Sequence, residues 1–368
     1  MALLISCLVV FASQAAEPPE VRALMREAQS SLRTLLMLSA EPDGLRQPAN
    51  SAESIEAIAR LSDVSASLQF HMQSDDARYL ADILSYQAWW MGLAFNLGQM
   101  AVVEALAHEI TNVCVACHTR LPDVRAAAVA ETFLPEAKLA SLGTIRRAHL
   151  EAATRRFDPA VARLEQHALS PHVTWTEAER AAVLHMTLSI RVKRDMAAPR
   201  RLVAALATRS PLPPQASTTI AAWTESLQHV SLDVAAAELL PTARGLLGLP
   251  GERAAAASRS PHKLIEHLVA SSMLNLLLAE HEISPAETAE ASYLLGLSYS
   301  RVESASHVPL ASFHLERAVK MSPEAAWAPS ALQELEVMLL DMFDAKTRDE
   351  LPVDALGELE ELEALVRS

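Results

Sequence analysis

Glycine is scarce in this chain, at nine of 368 residues, although its usual share of a protein is about 7%. Neither a glycine-rich phosphate loop, nor a nucleophile–base–acid set, nor a His-Glu metal motif stands out. Alanine, leucine, glutamate and arginine are abundant instead, as they are in helical proteins. The composition therefore predicts an all-α protein, and the missing motifs predict that it is not an enzyme.

Basic residues are fewer than acidic ones. Lys and Arg total 31 against 45 Asp and Glu, which gives a net charge of −14 at pH 7. A charge of that sign argues against general nucleic-acid binding, because nucleic acids are bound by basic surfaces. It favours a basic or neutral partner.

Long apolar runs are missing as well, except at the N-terminus. Residues 2–12 form an apolar run that is too short to span a membrane. We interpret residues 1–16 as a signal peptide, although the first basic residue is Arg22. Cys7 also resembles a lipoprotein processing site, so a lipid anchor is the alternative. Once the signal is removed, no integral membrane segment is predicted.

Only three cysteines are present, and two of them lie together in the stretch Cys114-Val115-Ala116-Cys117-His118. Cys-x-x-Cys-His is the spacing by which c-type haem is attached to a protein. The two thiols add across the porphyrin vinyl groups as thioethers, and the imidazole becomes an axial ligand of the iron. The motif predicts one covalently attached haem c, and because that haem is attached outside the bacterial cytoplasm, it predicts a periplasmic protein.

Other interpretations of the motif stay open. A structural zinc site needs two further Cys or His ligands, and histidines such as His149, His167 and His172 have no ligand spacing. A disulfide between the two cysteines leaves His118 unexplained. A chance match is the third alternative, and haem is the interpretation that uses every residue of the motif.

Hydrophobic periodicity predicts four helices before the end of the motif. Their similar lengths and short connections indicate an up-down-up-down bundle. On the third helix we expect an inward stripe of Leu80, Ile83, Leu84, Trp90, Ala94 and Leu97. The predicted helices open at 18–19 and end before 41, run from a capping box of Asn50 and Glu53 to about 72, run from 74 to near 98, and run from about 100 into the motif.

A four-helix bundle whose last helix ends in Cys114-Val-Ala-Cys117-His118 resembles cytochrome c′. The resemblance covers residues 17 to about 125. It implies a haem between the helices near one end of the bundle, with His118 as the proximal ligand. Most members leave the other iron face without a protein ligand, and a low-spin branch fills it with a methionine from the first helix.

That resemblance makes Met25 the leading candidate for a second iron ligand, because Met25 is on the inward stripe of the first helix. His71 and Met72 are rivals at the end of the second helix, and Met25 as a gap-filling core residue is the alternative. A helix-one arginine near the haem propionates is a family feature, which points to Arg22 or Arg26. A six-coordinate iron favours electron transfer, whereas an open face favours binding of small gases.

Aromatic residues cluster on the third predicted helix. Trp89, Trp90 and Phe95 are candidates for walling the haem. Aromatic residues at helical spacing are more often ordinary core.

From residue 133 onward the pattern stays helical, and part of it resembles the tetratricopeptide repeat. We expect residues 133–345 to form a degenerate helical-repeat solenoid that docks a redox or scaffold partner, and residues 346–368 to form an acidic capping helix. Helix starts are predicted at Asp158-Pro159, at Thr176 with Glu179, and at Ser284-Pro285 with Glu287. The repeat positions are Leu295, Gly296, Tyr299, Ala311, Leu315, Ala318 and Pro323 in one match and Leu142, Gly143, Phe157, Ala160, Leu164 and Pro171 in the other.

Basic residues cluster between 191 and 201. Arg191, Lys193, Arg194, Arg200 and Arg201 have one intervening acid. The cluster indicates a solvated basic loop, and a docking site for an acidic partner is the alternative.

Taken together, these patterns predict a signal peptide over 1–16, a haem bundle over 17–128, helical repeats over 133–345 and a capping helix over 346–368. The function expected first is electron transfer or another haem-based redox role in the periplasm. Small-gas binding at an open haem face is a second expectation, and a protein-interaction scaffold with a structural haem is a third.

Overall fold

A computed structural model of the chain describes residues 19–41, 43–120, 133–248, 263–302 and 309–368. Every regular element in these ranges is helical, so the all-α prediction is confirmed for them. The first four helices are α1 (Pro19–Ser39), α2 (Ser51–His71), α3 (Asp75–Asn96) and α4 (Met100–His118). Then follow α5 (Glu136–Ala140), α6 (Thr144–Ala153), α7 (Phe157–Leu169), α8 (Trp175–Thr187), α9 (Ala197–Leu206), α10 (Pro214–His229), α11 (Leu239–Leu247), α12 (Leu264–Glu280), α13 (Pro285–Val302), α14 (Leu310–Met321), α15 (Ala328–Met342) and α16 (Val353–Arg367).

Several predictions concern residues outside these ranges. They are the signal peptide over 1–16 with Cys7, and the last part of the predicted haem bundle, residues 121–128. The four predicted N-terminal helices themselves begin and end within a few residues of the predicted positions.

A side chain caps the start of α3, but the one expected to cap α2 does not. The hydroxyl of Ser74 accepts a hydrogen bond from the Ala77 amide at 3.4 Å and caps α3. The predicted capping box at Asn50 is wrong, because the Asn50 side chain does not cap α2. Its Nδ2 instead donates to the Gly44 carbonyl at 2.8 Å, which ties α2 to the preceding loop.

The N-terminal helices α1–α4 pack against one another in sequence order, and α1 also contacts α4. Short segments at 72–74 and 97–99 join packed neighbours, so those neighbours are antiparallel. Their shared interior is made of large apolar side chains that are at most 2% exposed, namely Leu32, Leu35, Leu36, Leu61, Leu68, Leu80, Met91 and Ile110. Burial of this apolar surface is the main force that holds the four helices together.

The predicted inward stripe of α3 is partly wrong. Trp90 is 38% exposed and Leu97 is 62% exposed, whereas Ala88 and Met91 are fully buried. The true stripe repeats at intervals of three and four through 84, 88, 91 and 94, which turns position 90 away from the core. Trp89 is exposed too, at 56%, so neither tryptophan belongs to the interior of the N-terminal helices.

Among the later helices, α13 and α14 form a closely packed pair. A Cβ added to Gly296 on α13 would lie 2.5 Å from Leu315 Cγ on α14. Gly296 therefore allows the two helices to approach to a distance that any larger residue would prevent. Gly143, at the corresponding position of the earlier repeat match, precedes α6 as its N-cap and has open space around it, so that part of the match is wrong.

Two predicted helix starts beyond residue 133 illustrate the limits of cap patterns. At Ser284 and Glu287 the reciprocal capping contacts form and α13 begins at Pro285, as predicted. The other box forms between Thr174 and Glu177 rather than two residues later. Trp175 then falls inside α8, and its ring lies 6.4 Å from that of Trp223.

The N-terminal helices contact both the beginning and the far part of the helices that follow. Arg146 on α6 donates to His108 Nδ1 on α4 at 2.9 Å. On the other side, the Tyr79 ring of α3 stacks on the Phe313 ring of α14 with 4.4 Å between centroids. Helices from distant parts of the sequence therefore pack on α3 and on α4.

One described helix, α4, is long and apolar enough to cross a membrane by its length and composition. The core helix of a soluble protein passes the same test, so the absence of an integral membrane segment after the signal stays a prediction. In this structure α4 packs against α1, α3 and α6. At the C-terminus, α16 packs against α14 and α15 through buried Leu359 and Leu362.

Candidate haem site

The Cys-x-x-Cys-His motif occupies the last two turns of α4, which ends at His118. Cys114 and Cys117 are partly buried and pack against the core. Positions three and four apart share one face of a helix. The cysteines therefore extend the apolar stripe of α4, whose fully buried members are Val103, Ala107 and Ile110.

The two cysteines are thiols in this structure. Burial, followed by the neighbouring Cys117, raises the pKa of the Cys114 thiol to about 12. A thiol with a pKa this high is protonated at neutral pH and is a poor nucleophile. Cys114 is therefore an unreactive thiol at neutral pH.

His118 is held in one orientation by a backbone carbonyl from another helix. Its Nδ1 lies 2.9 Å from the carbonyl oxygen of Ala153, the last residue of α6. A carbonyl can only accept, so the proton is on Nδ1 and the lone pair is on Nε2. Burial, followed by the Arg155 cation, lowers the pKa of His118 to about 3, so the imidazole is neutral. A neutral imidazole with a free Nε2 lone pair is the form that binds a metal.

The carbonyl of Ala153 is available because it lies at the end of a helix, where carbonyl groups lack intrahelical partners. The chain turns sharply there: the Arg156 amide donates to the Glu151 carbonyl at 2.8 Å, and Arg155 adopts a left-handed φ of 58°. Such a φ is uncommon for a residue other than glycine. The α6–α7 turn is thereby fixed against the motif.

Glu151 anchors this turn from within α6. Its carboxylate is 1% exposed and accepts from Arg147 Nε at 3.2 Å and from Arg163 at 3.1 and 3.0 Å. A buried carboxylate with two guanidinium partners is well compensated. Because it joins α6 to α7, the pair of helices presents the Ala153 carbonyl rigidly.

The predicted ligands on the opposite iron face lie in different environments. Met25 is partly buried and packs on the core, and so does Met72. His71 is exposed, and so are Arg22 and Arg26. No hydrogen bond or ion pair joins any of these five residues to the motif among the described residues. Their roles as ligands or as propionate partners stay predictions.

No protein-family model, curated protein or solved structure matches this chain. The resemblance to cytochrome c′ therefore depends on the motif and the predicted helices alone. In the ranges that the structure describes, no group of three or more His, Cys, Asp or Glu side chains is arranged to hold a metal ion. A c-type haem needs only two thiols and one imidazole from the protein. Cys114, Cys117 and His118 fit that set of groups.

A buried ion pair next to the motif was not predicted. Arg120 is two residues beyond His118 and 7% exposed, and its guanidinium pairs with Asp76 on α3, which is 5% exposed. Burial raises the pKa of Asp76, but the Arg120 cation, together with His314 and the hydrogen bonds with Ser74 and Ala77, lowers that pKa to about 2. The only sequence signal for Asp76 was its position in the first turn of a helix, where acids are common for other reasons.

Proposed function

We propose that this chain is an exported c-type haem protein that transfers electrons, with a helical-repeat region that docks its partner. The observation that carries the proposal is the Nδ1 contact from His118 to the Ala153 carbonyl. Metal-bound histidines make such a hydrogen bond through the ring nitrogen that does not bind the metal, and it orients the ring and makes it more basic.

The finer architecture belongs to the same proposal. We take α1–α4 as a four-helix bundle of the cytochrome c′ type, because each helix packs on the next and α1 packs on α4. We take α5 to α15 as a degenerate tetratricopeptide-like solenoid and α16 as its acidic capping helix. The close approach at Gly296 supports that assignment for α13 and α14.

In this proposal each residue of the motif has one role. Cys114 and Cys117 hold the porphyrin through thioethers, and His118 presents Nε2 to the iron. The haem supplies a one-electron ferric–ferrous couple. The Ala153 carbonyl increases the basicity of His118 and so favours the ferric form.

The test is the absorbance spectrum of the purified exported protein, followed by denaturation to show whether the haem is covalently bound. We expect covalent haem in the wild type, none in the double variant Cys114→Ala and Cys117→Ala, and a lost axial ligand in His118→Ala. His172→Ala is the matched control, because His172 is exposed. A wild type without covalent haem would overturn the proposal.

The second iron face is tested with Met25→Ala, with His71→Ala beside it. A low-spin spectrum that is lost only in Met25→Ala supports electron transfer through a Met-ligated iron. A high-spin ferric spectrum in the wild type that responds to carbon monoxide supports the gas-binding function instead.

The scaffold function predicts that haem is dispensable for docking. Its test is partner capture by the wild type and by the double cysteine variant under the same conditions. Equal capture by the two proteins favours a structural haem, and capture that follows the oxidation state of the haem favours a redox partner.

A further inference from the structure

Arg191 is a buried cation in an unusual backbone segment. It is 3% exposed and belongs to a π-helical turn, Leu188–Val192, that extends α8. The Lys193 amide donates to the Leu188 carbonyl at 3.0 Å, the long spacing of that turn. Such turns are rare in proteins, and those that occur often lie at functional sites. The prediction that residues 191–201 form a solvated basic loop is wrong for Arg191, because the extra residue turns its side chain inward.

The Arg191 guanidinium has polar contacts but no counter-charge. Its Nε donates to Ser271 Oγ at 2.9 Å, and its central carbon lies 4.9 Å from the centroid of the Tyr299 ring. Nη2 has no hydrogen-bond partner. Across the described ranges, no carboxylate lies within 4.0 Å of this guanidinium.

Other buried charges in the structure are compensated. Glu334 is 2% exposed and accepts from Arg301 at 2.7 Å, and Arg120 pairs with Asp76. An isolated ion in a protein interior costs several kcal/mol. Arg191 therefore departs from the rule that the rest of the chain follows.

The surroundings of Arg191 are polar. Tyr299 is held by Asn275, whose Nδ2 donates to the hydroxyl at 2.8 Å, and its ring stacks on His314 at 5.5 Å between centroids. His314 is fully buried and both of its ring nitrogens lack partners. Burial lowers the pKa of His314 to about 3, although the Asp76 carboxylate opposes it, so His314 adds no charge at neutral pH.

Arg120 lies at the edge of the same cluster. Although burial lowers its pKa, Asp76 and then Tyr299 raise it, and the net direction is upward; Tyr299 is thus near both arginines. The Nε of Arg120 has no partner. Asp76 balances Arg120, which leaves the charge of Arg191 in excess beside Tyr299 on α13.

We propose that Arg191, held by Ser271 Oγ and by the face of the Tyr299 ring, binds the anionic oxygens of a carboxylate or phosphate group through its unpartnered Nη2. A guanidinium recognises such groups through paired N–H donors. Two sources have this chemistry: a propionate of the attached haem, which rests on the proposed function, and a diffusible carboxylate or phosphate, which does not.

The first arm measures the thermal unfolding midpoint of the purified wild type during titration with potassium phosphate and with potassium succinate. Potassium chloride keeps the ionic strength constant. A diffusible anion that binds only the folded protein raises the midpoint in proportion to the logarithm of its concentration. We expect Arg191→Gln to lose this response, with apparent affinity at least tenfold weaker, and the exposed Arg60→Gln to retain it.

The second arm measures the reduction potential of the haem-loaded protein and repeats the titration on the double variant Cys114→Ser and Cys117→Ser. If a propionate occupies the site, the loaded protein is insensitive to added anions, and the variant without haem becomes sensitive. Arg191→Gln then lowers the potential, because loss of a nearby cation favours the ferric form. If Arg191→Gln does not fold, Arg191→Lys replaces it, since Lys keeps the charge but lacks the paired donors.

The proposal is overturned if neither the loaded nor the haem-free protein responds to phosphate or succinate and the potential is unchanged in the Arg191 variant. A protein that carries no covalent haem contradicts the proposed function, but its anion titration still decides the diffusible source. The two failures are therefore distinguishable.

Discussion

The interior of the N-terminal helices α1–α4 is mostly apolar, whereas α12, α13 and α14 bury a set of polar side chains around Tyr299. In the first region, leucines such as Leu35 and Leu68 fill the space between helices, and ionisable side chains are buried only at the motif end, in Asp76 and Arg120. The second region buries His267, Ser271, Ser272, Asn275, Ser298 and His314 as well as Tyr299.

The difference indicates which kind of interaction determines the structure of each region. Apolar packing requires the right size and tolerates changes of identity, whereas a buried polar group requires a particular partner. We infer that apolar packing stabilises the N-terminal helices, and that specific polar pairs stabilise the contact region near Arg120 and Tyr299.

Of the substitutions that test this comparison, Asp76→Asn is expected to lower the free energy of unfolding most. The variant leaves Arg120 without its counter-charge, and breaking a buried ion pair from one side costs about 3–5 kcal/mol. Chemical denaturation measures this loss in the free energy of unfolding. Asp43→Asn is the matched control: it removes an ion pair to Arg46 whose side chains are 71% and 59% exposed, and it should cost less than about 1 kcal/mol. Equal losses in the two variants would show that the Asp76 pair is not buried in solution.

A smaller effect is expected from Gly296→Ala, which tests packing by shape in the second region. The new Cβ would lie 2.5 Å from Leu315 Cγ and 3.1 Å from the Leu315 backbone nitrogen, so α13 and α14 must separate, at about 1–3 kcal/mol. Gly357→Ala makes the same substitution in α16, where no atom lies within 4 Å of the Cβ position. That control should be stabilised by about 0.5–1 kcal/mol. A stable Gly296→Ala would contradict the close pairing of the helices.

The N-terminal helices were predictable because apolar residues recur in each of them at a regular helical period. The start of α4 at Met100 followed from Val102, Leu106 and Ile110. The buried face of α3 was harder to predict. This helix has apolar residues on two faces, and the sequence alone does not show that Met91 rather than Trp90 faces inward.

The second region was harder to predict for a physical reason. Helix α12 is buried on nearly all sides, so it has no polar face to reveal its orientation. The contacts of the candidate site also include a backbone carbonyl, that of Ala153, and a backbone group leaves no trace in the side-chain sequence. Arg191 resembled a surface residue because only a π-helical turn brings it inside.

Tyr299→Phe tests the polar pairs with an effect of about 1–3 kcal/mol. The Tyr299 hydroxyl both donates to and accepts from the Asn275 amide, at 3.1 and 2.8 Å. Its loss leaves Asn275 buried without that partner. Tyr86→Phe is the matched control, because Tyr86 is 65% exposed, and it should leave the free energy of unfolding unchanged. If both variants are neutral, the buried amide has found another partner.

The pH dependence of stability should reflect the buried histidines. Burial, followed by Arg301 and Lys263, lowers the pKa of His267 to about 3, and burial with Arg201 lowers that of His185 to about 4. Because the folded pKa is below the unfolded value of about 6.5, the stabilisation is complete above pH 6.5 and is lost as the pH falls. Each histidine should cost about 1.4 kcal/mol at pH 5.5.

Denaturation of His267→Met across pH 7.5 to 5.5 checks this value. The variant should lose the share of the pH slope that belongs to His267. An unchanged slope would mean that His267 is protonated or exposed in the folded protein.

The smallest effect is expected on the outer surface of α3, where Tyr86, Trp89 and Trp90 form a row with ring centroids 6.1 and 6.2 Å apart. Trp89 is 56% exposed, so Trp89→Ser should change the free energy of unfolding by no more than about 0.5 kcal/mol. Met91→Ala, two residues away on the buried stripe, should cost about 2–5 kcal/mol. The pair compares an outward and an inward position on one helix. If Trp89→Ser were as costly as Met91→Ala, α3 would be rotated in solution to the register that its tryptophans suggest, and the interior of the N-terminal helices would be aromatic.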